Sequence, residues 1–151
     1  MSGCMVDNKI ENVKREIEDC FYKNKDGYII IAPAQKEEIM RQKSKKEYDK
    51  FYSKMKSNKD FEIYKGKGIY TTKDNQKLVE FVFFIYGKTI NEELARKYLK
   101  ETKSEAIIYN NRIIYDDGTI KTFNKIQYSN FTDGDSTTLK IDGEEFTFQF
   151  V

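Results

Sequence analysis

The sequence predicts a single α+β domain, with two to three helices packed on a largely antiparallel sheet that ends in a C-terminal β-meander. Three observations predict it. Helical apolar spacing is confined to residues before 104. After 104 the chain reads as six short strand-like runs separated by Asn-Asn, Asp-Asp-Gly, Asn-Lys, "TDGDS" and Asp-Gly. Between the two regions lies "KLVEFVFFIY", apolar on both faces apart from Glu80, which suits a central strand covered on both sides. A helical, basic part of about 7–103 and a meander of about 104–151 then form one domain.

Size and composition are consistent with this. A chain of 151 residues buries about 70% of its unfolded surface and needs no disulfide or metal to fold. Eleven Tyr and eleven Phe supply large buried area per residue. The first helix starts at Asp7 as N-cap and runs to about Phe21, with Ile10, Val13, Ile17 and Cys20/Phe21 on one side. "YIII" is a short buried strand ending at Pro33, which opens a second helix of about Ala34 to Ser57. Its residues Met40, Ser44, Tyr48, Phe51, Tyr52 and Met55 share an arc of about 120°. Ile39 lies off that stripe, which suggests a bend near residues 41–44 or a contact made by the far face. "FEIYK" and "IYTTK" read as two strands separated by "GKG". "TINEELARKYLKE" opens with Thr89 and Glu92 at capping-box spacing, with Ile90, Leu94 and Tyr98 on one face. Val151 falls inside the last strand and should be tied into the sheet.

Charge is unevenly placed. Residues 1–103 carry 23 basic and 17 acidic side chains, and residues 104–151 carry 4 and 8. A pI near 8.3 conceals this dipole, which a partner would meet as two separate fields. Of the basic residues 23 are Lys and 4 are Arg, a bias that fits an AT-rich genome.

The basic residues concentrate in the second helix. Arg41, Lys43, Lys45, Lys46, Lys50, Lys54, Lys56 and Lys59 face only Glu47 and Asp49 over residues 41–59. Lys43, Lys46, Lys50 and Lys54 form a ridge opposite the apolar stripe. Such a ridge can follow a phosphate backbone or an acidic protein surface. With little Arg for bidentate base readout, sequence-specific DNA recognition is not implied. Arg41, Lys43, Lys46, Lys50 and Lys54 are therefore the candidate binding residues. The plain alternative is a solvated helix face. The interleaved aromatics could serve as stacking platforms, but their helical spacing reads as core.

Chemistry-bearing motifs are sparse. There is no His, so the usual Cys/His zinc sites and His-based nucleophile triads are excluded. Cys20 reads as a buried free thiol and Cys4 lies near the N-terminus. Asp133 and Asp135 in "TDGDSTT" are spaced like oxygen ligands of a calcium or magnesium loop, and "DGDST" is similar to the D-x-D-x-T phosphotransferase motif. The loop continues into Ser and Thr, and a polar hairpin is the simpler reading. Glu62 and Lys65 are one residue off nuclease-type E-x-K alternation. Asp116 and Asp117 read as turn residues. Glu80, if it faces the core, needs a partner such as a Lys or a Tyr hydroxyl. No cofactor is expected.

The strands closing in "LKIDGEEFTF" resemble bacterial pleckstrin-like domains over about a third of the chain. That resemblance implies a ligand- or lipid-headgroup-binding module on the C-terminal sheet. Those domains usually close with a C-terminal helix, which this chain lacks, and no site residue is carried over. The leading expectation is a small cytoplasmic interaction or inhibitor protein of the kind found in phages and mobile elements. It would engage nucleic acid, or a protein that processes it, through the basic helix. A metal-dependent nuclease or phosphotransferase using Asp133, Asp135 or Glu80 is the enzymatic alternative.

Overall fold

Val13, Ile17, Cys20 and Phe21 recur at helical spacing, and all four are buried in α1 (Lys9–Lys23). The computed structural model describes residues 9–23, 27–32, 41–71, 77–128 and 135–151. Asp7, Cys4, Pro33 and Ile39 lie outside them. Two more helices, α2 (Arg41–Lys56) and α3 (Glu92–Glu101), accompany nine strands. The strands are β1 (Tyr28–Ile31), β2 (Glu62–Thr71), β3 (Lys77–Tyr86), β4 (Ala106–Tyr109), β5 (Arg112–Tyr115), β6 (Ile120–Thr122), β7 (Ile126–Tyr128), β8 (Ser136–Ile141) and β9 (Glu144–Phe150).

All nine join one antiparallel sheet in the order β6-β5-β4-β1-β3-β2-β8-β9-β7. β3 is its middle strand, as the doubly apolar pattern requires. The late strands divide: β4, β5 and β6 make a meander at one side, and β8, β9 and β7 close the other.

The two outer strands are consecutive in sequence, joined only by Phe123, Asn124 and Lys125. Three linking residues reach about 14 Å at full extension. Nine strands laid flat would separate the outer two by roughly 38 Å, at about 4.8 Å per spacing. The sheet is therefore curled, and its outer strands approach each other. Beside this link the β7–β9 pairing runs on past Phe150, with Asn124 and Lys125 N–H groups donating to the Val151 carbonyl and the Val151 N–H donating to the Lys125 carbonyl, so Val151 is tied into the sheet.

α1 packs on the concave side, where Val13, Ile17 and Cys20 meet Tyr28, Val82, Phe84, Leu139 and Phe148. α2 and α3 pack on the convex side against Ile29, Phe83, Ile85, Ile107 and Ile114. A strand with both faces covered must be apolar at every position, and Val82 to Ile85 are all at most 1% exposed.

Three expectations need correction. "GKG" is not a break: β2 runs through it, with Gly66 opposite Val82 and Leu139, and Gly68 opposite Glu80 and Thr137. A Cβ on Gly66 would sit 2.4 Å from the Thr138 carbonyl, so this close passage of β2 and β8 requires glycine. Thr89 is not the cap of α3. Asn91 is, its side-chain oxygen accepting from the Leu94 N–H at 2.8 Å. Ile90 and Ala95, at the staple positions around that cap, are both buried. Finally, β3 is not covered along its whole length, because Val79 is 68% and Phe81 55% exposed.

The repeated "IIY" segments are β4 and β5, and Asn110 turns one into the other at φ 50°. This Asn is also a bracket for β1. Its Oδ1 accepts from the Tyr28 N–H at 2.9 Å, and its carbonyl accepts from the Tyr28 hydroxyl at 2.7 Å. Both residues are buried. Asn110→Ala should cost about 2–3 kcal/mol, combining an orphaned buried N–H with a left-handed backbone that alanine resists. Asn110→Gly relieves only the second and should recover about 1 kcal/mol. Urea midpoints of the two variants check this, and equal losses would refute the split.

Candidate binding surface

α2 is held by its aromatic stripe, not by its intrinsic stability. Phe51 and Met55 are buried. The Tyr48 and Tyr52 rings stack on Phe83 at 4.0 and 5.7 Å, near parallel in both cases. The stripe is core, which fixes the opposite face toward solvent.

The structure divides the five predicted binding residues. Lys54 is not a free cation. Its ammonium pairs with Glu101 at the end of α3 and lies 5.9 Å from the Tyr98 ring. It ties α2 to α3, since both of these partners belong to α3. Lys46 and Lys50 are exposed. Among the described residues no carboxylate pairs with either. Arg41 and Lys43 belong to the first turn of α2 by backbone, and their side chains lie outside the described part of the structure.

A second cationic pair was not anticipated. Lys65 and Lys67 stand on the convex face of β2, beside the edge of α2. The Lys65 ammonium sits 4.1 Å from the Tyr52 ring centre, and that of Lys67 5.9 Å from Phe81. The signal was available: K-x-K in a strand puts both side chains on one face. Reading the glycines on either side of Lys67 as a break between strands hides it.

The acidic candidates do not assemble. Asp133 lies outside the described residues, and Asp135 is exposed just before β8. The Asp117 carboxylate accepts from the Thr119 N–H, and Gly118 takes φ 90°, so Asp116 and Asp117 belong to a hairpin turn. Glu62 and Lys65 alternate to opposite faces of β2. Among the described residues no group of three or more carboxylates or thiols could hold a metal ion. Cys20 is buried and is not in a disulfide.

Glu80 does project from the concave face, level with Gly68 and Thr137. Burial, and then the charge of Glu105, push its carboxyl up to about 7. The cation or phenol that would partner it is not among the described residues. The tyrosines that shift move upward, each chiefly by burial, and Tyr48 reaches about 12. Such phenols stay protonated at neutral pH and are poor bases.

Two other places remain. The concave side at β8 and β9, where a ligand pocket on the C-terminal sheet would sit, is packed by Leu139, Ile141, Phe146 and Phe148 against α1. An open cleft of about 850 Å³ separates the end of α2 from the start of α3, lined in part by Lys54, Asn58, Phe61, Leu94 and Lys97. Glu93 and Asp60 also line it, so its charge is mixed. No helix among the described residues is long and apolar enough to cross a membrane. Comparison with protein-family models, with curated proteins and with solved structures finds no match to this chain.

Proposed function

We propose that this protein is a non-enzymatic interaction protein that binds an anionic macromolecular surface through the solvent face of α2. That surface would be a nucleic acid backbone or the acidic face of a protein that processes nucleic acid, and binding would act by occlusion. The observation that carries this reading is the state of Lys46 and Lys50. They stand one helical turn apart on a helix whose other face is locked into the core, and they are not neutralised within the described fold. Because the helix backbone is already fixed, binding orders only the lysine side chains and not the chain that carries them, which favours these residues over lysines on a loop.

Lys46→Glu with Lys50→Glu tests this. Both residues are exposed, so thermal stability should stay within a few degrees of the parent. Affinity for oligothymidylate and for polyglutamate should fall about tenfold or more at low salt. For oligothymidylate, the slope of log affinity against log salt should drop by about 1 to 2. Unchanged affinity for both polyanions in the double variant would sink the proposal. Lys54 is unsuited to the test because its substitution also breaks the contact with Glu101.

A further inference from the structure

β3 changes character within two residues. Phe83, under Tyr48 and Phe51, is fully buried, while Phe81 and Val79 on the same face are 55% and 68% exposed. They are two of the five large apolar side chains exposed among the described residues, and they adjoin on one strand face. β2 lies directly beside them, with Lys67 opposite Phe81 and half-buried Ile69 opposite Val79. Lys65 continues the same row. The result is a strip in which apolar side chains are flanked by ammonium groups, with the Tyr48 ring as one wall at 6.2 Å from Phe81.

We infer that this strip is the seat of an acidic amphipathic segment of a partner protein, with apolar side chains resting on Val79, Ile69 and Phe81 and carboxylates on Lys65 and Lys67. The complementarity is chemical. Flat apolar contact beside paired cations matches a helix or strand that alternates apolar and acidic groups. Single-stranded nucleic acid fits less well, because bases need open ring faces. Tyr48 and Tyr52 spend one face each on Phe83, Lys65 lies over Tyr52, and two of the strip's three apolar side chains are aliphatic. The inference goes beyond the role given to α2. Lys46 and Lys50 lie on the far side of that helix from Tyr48 by helical spacing.

The test is an NMR titration of the full chain with three probes: a synthetic helical peptide with leucine on one face and glutamate on the other, polyglutamate of equal charge, and oligothymidylate. The peptide should shift the resonances of Val79, Phe81, Ile69 and Lys67, and bind about tenfold more tightly than polyglutamate. Val79→Ser with Phe81→Ser should weaken the peptide about tenfold and leave polyglutamate unchanged. Lys65→Glu with Lys67→Glu, which removes no apolar contact, should abolish peptide binding and accept a lysine-for-glutamate version instead. Peptide shifts that fall elsewhere, or no shifts at millimolar peptide, would overturn the inference. So would oligothymidylate binding more tightly than the peptide in a manner that depends on Phe81. If the strip variants bind the peptide normally while the Lys46/Lys50 variant does not, the strip is discarded and the α2 proposal stands. If the Lys46/Lys50 variant alone retains binding to both polyanions, only the α2 proposal falls.

Discussion

Phe83→Ala should lower stability by about 3–5 kcal/mol, enough to bring a domain of this size close to its unfolding midpoint. Phe83 is fully buried in the middle strand, and it is the ring on which α2 rests. Tyr48, Phe51 and Tyr52 all lie within 6 Å of its centroid. Removing it leaves a cavity under the helix and unstacks two tyrosines from the ring they rest on. α2 is dense in lysine and has no acidic residue in its first turn, so its own helicity is weak. Loss of helical signal should therefore accompany the stability loss. Phe81→Ala is the internal control. It removes the same side chain two residues away on the same face, but from a position more than half exposed, and should cost less than about 1.5 kcal/mol. Urea unfolding of the pair decides the matter, since equal costs would mean that Phe83 does not carry α2.

Glu80→Gln should stabilise the protein by about 3 kcal/mol at pH 8 and by little at pH 4. The folded state holds this carboxyl up at about 7, against an ordinary 4.5. Between those values the folded protein keeps a proton that the unfolded chain has lost, so stability falls as pH rises through that window. Above about 7 both states are ionised and the full penalty is present, roughly 3 kcal/mol at 1.36 kcal/mol per unit. Below about 4.5 both are protonated and the penalty is absent. Glutamine mimics the neutral acid and should flatten this slope. Denaturation midpoints of both proteins at intervals from pH 4.5 to 8 measure it. A parent whose stability does not fall over that range would show that Glu80 is not desolvated.

Much of the fold was legible because local patterns are strong. Ile10, Val13, Ile17 and Cys20 mark α1, and the run from Val82 to Ile85 announces a strand with both faces covered. Asn110, Gly118 and the pair Asp142-Gly143 mark hairpin turns, and all four take positive φ. Strand order was not legible. β1 pairs with β3 and β4, about 55 and 80 residues away, and nothing in "YIII" names those partners. The curl follows from that order, so it could not be read either. "GKG" misled because glycine breaks most strands, whereas here Gly66 permits β2 and β8 to pass closely. The basic helix was found as a helix. Which of its lysines stay free was not, because the contact that removes Lys54 comes from Glu101, 47 residues later. The strip at Val79 and Phe81 was hidden by an apolar pattern that could not show where α2 stops covering it.

The place of β1 has a kinetic consequence. Among the described residues these four are the strand through which the β4–β6 side is hydrogen-bonded to the rest of the sheet. The hairpins on either side can form from neighbouring segments, but β1 must wait for both, because its pairing with β4 closes the longest loop in the sheet, with Ile29 opposite Tyr109. Until it docks, β3 and β4 present "VFFIY" and "AIIY" with unpaired edges and little charge, the composition that seeds intermolecular pairing. Refolding should therefore be concentration-sensitive in its last phase, and yield in the cell should depend more on how quickly Tyr28 finds Asn110 than on the stability finally reached.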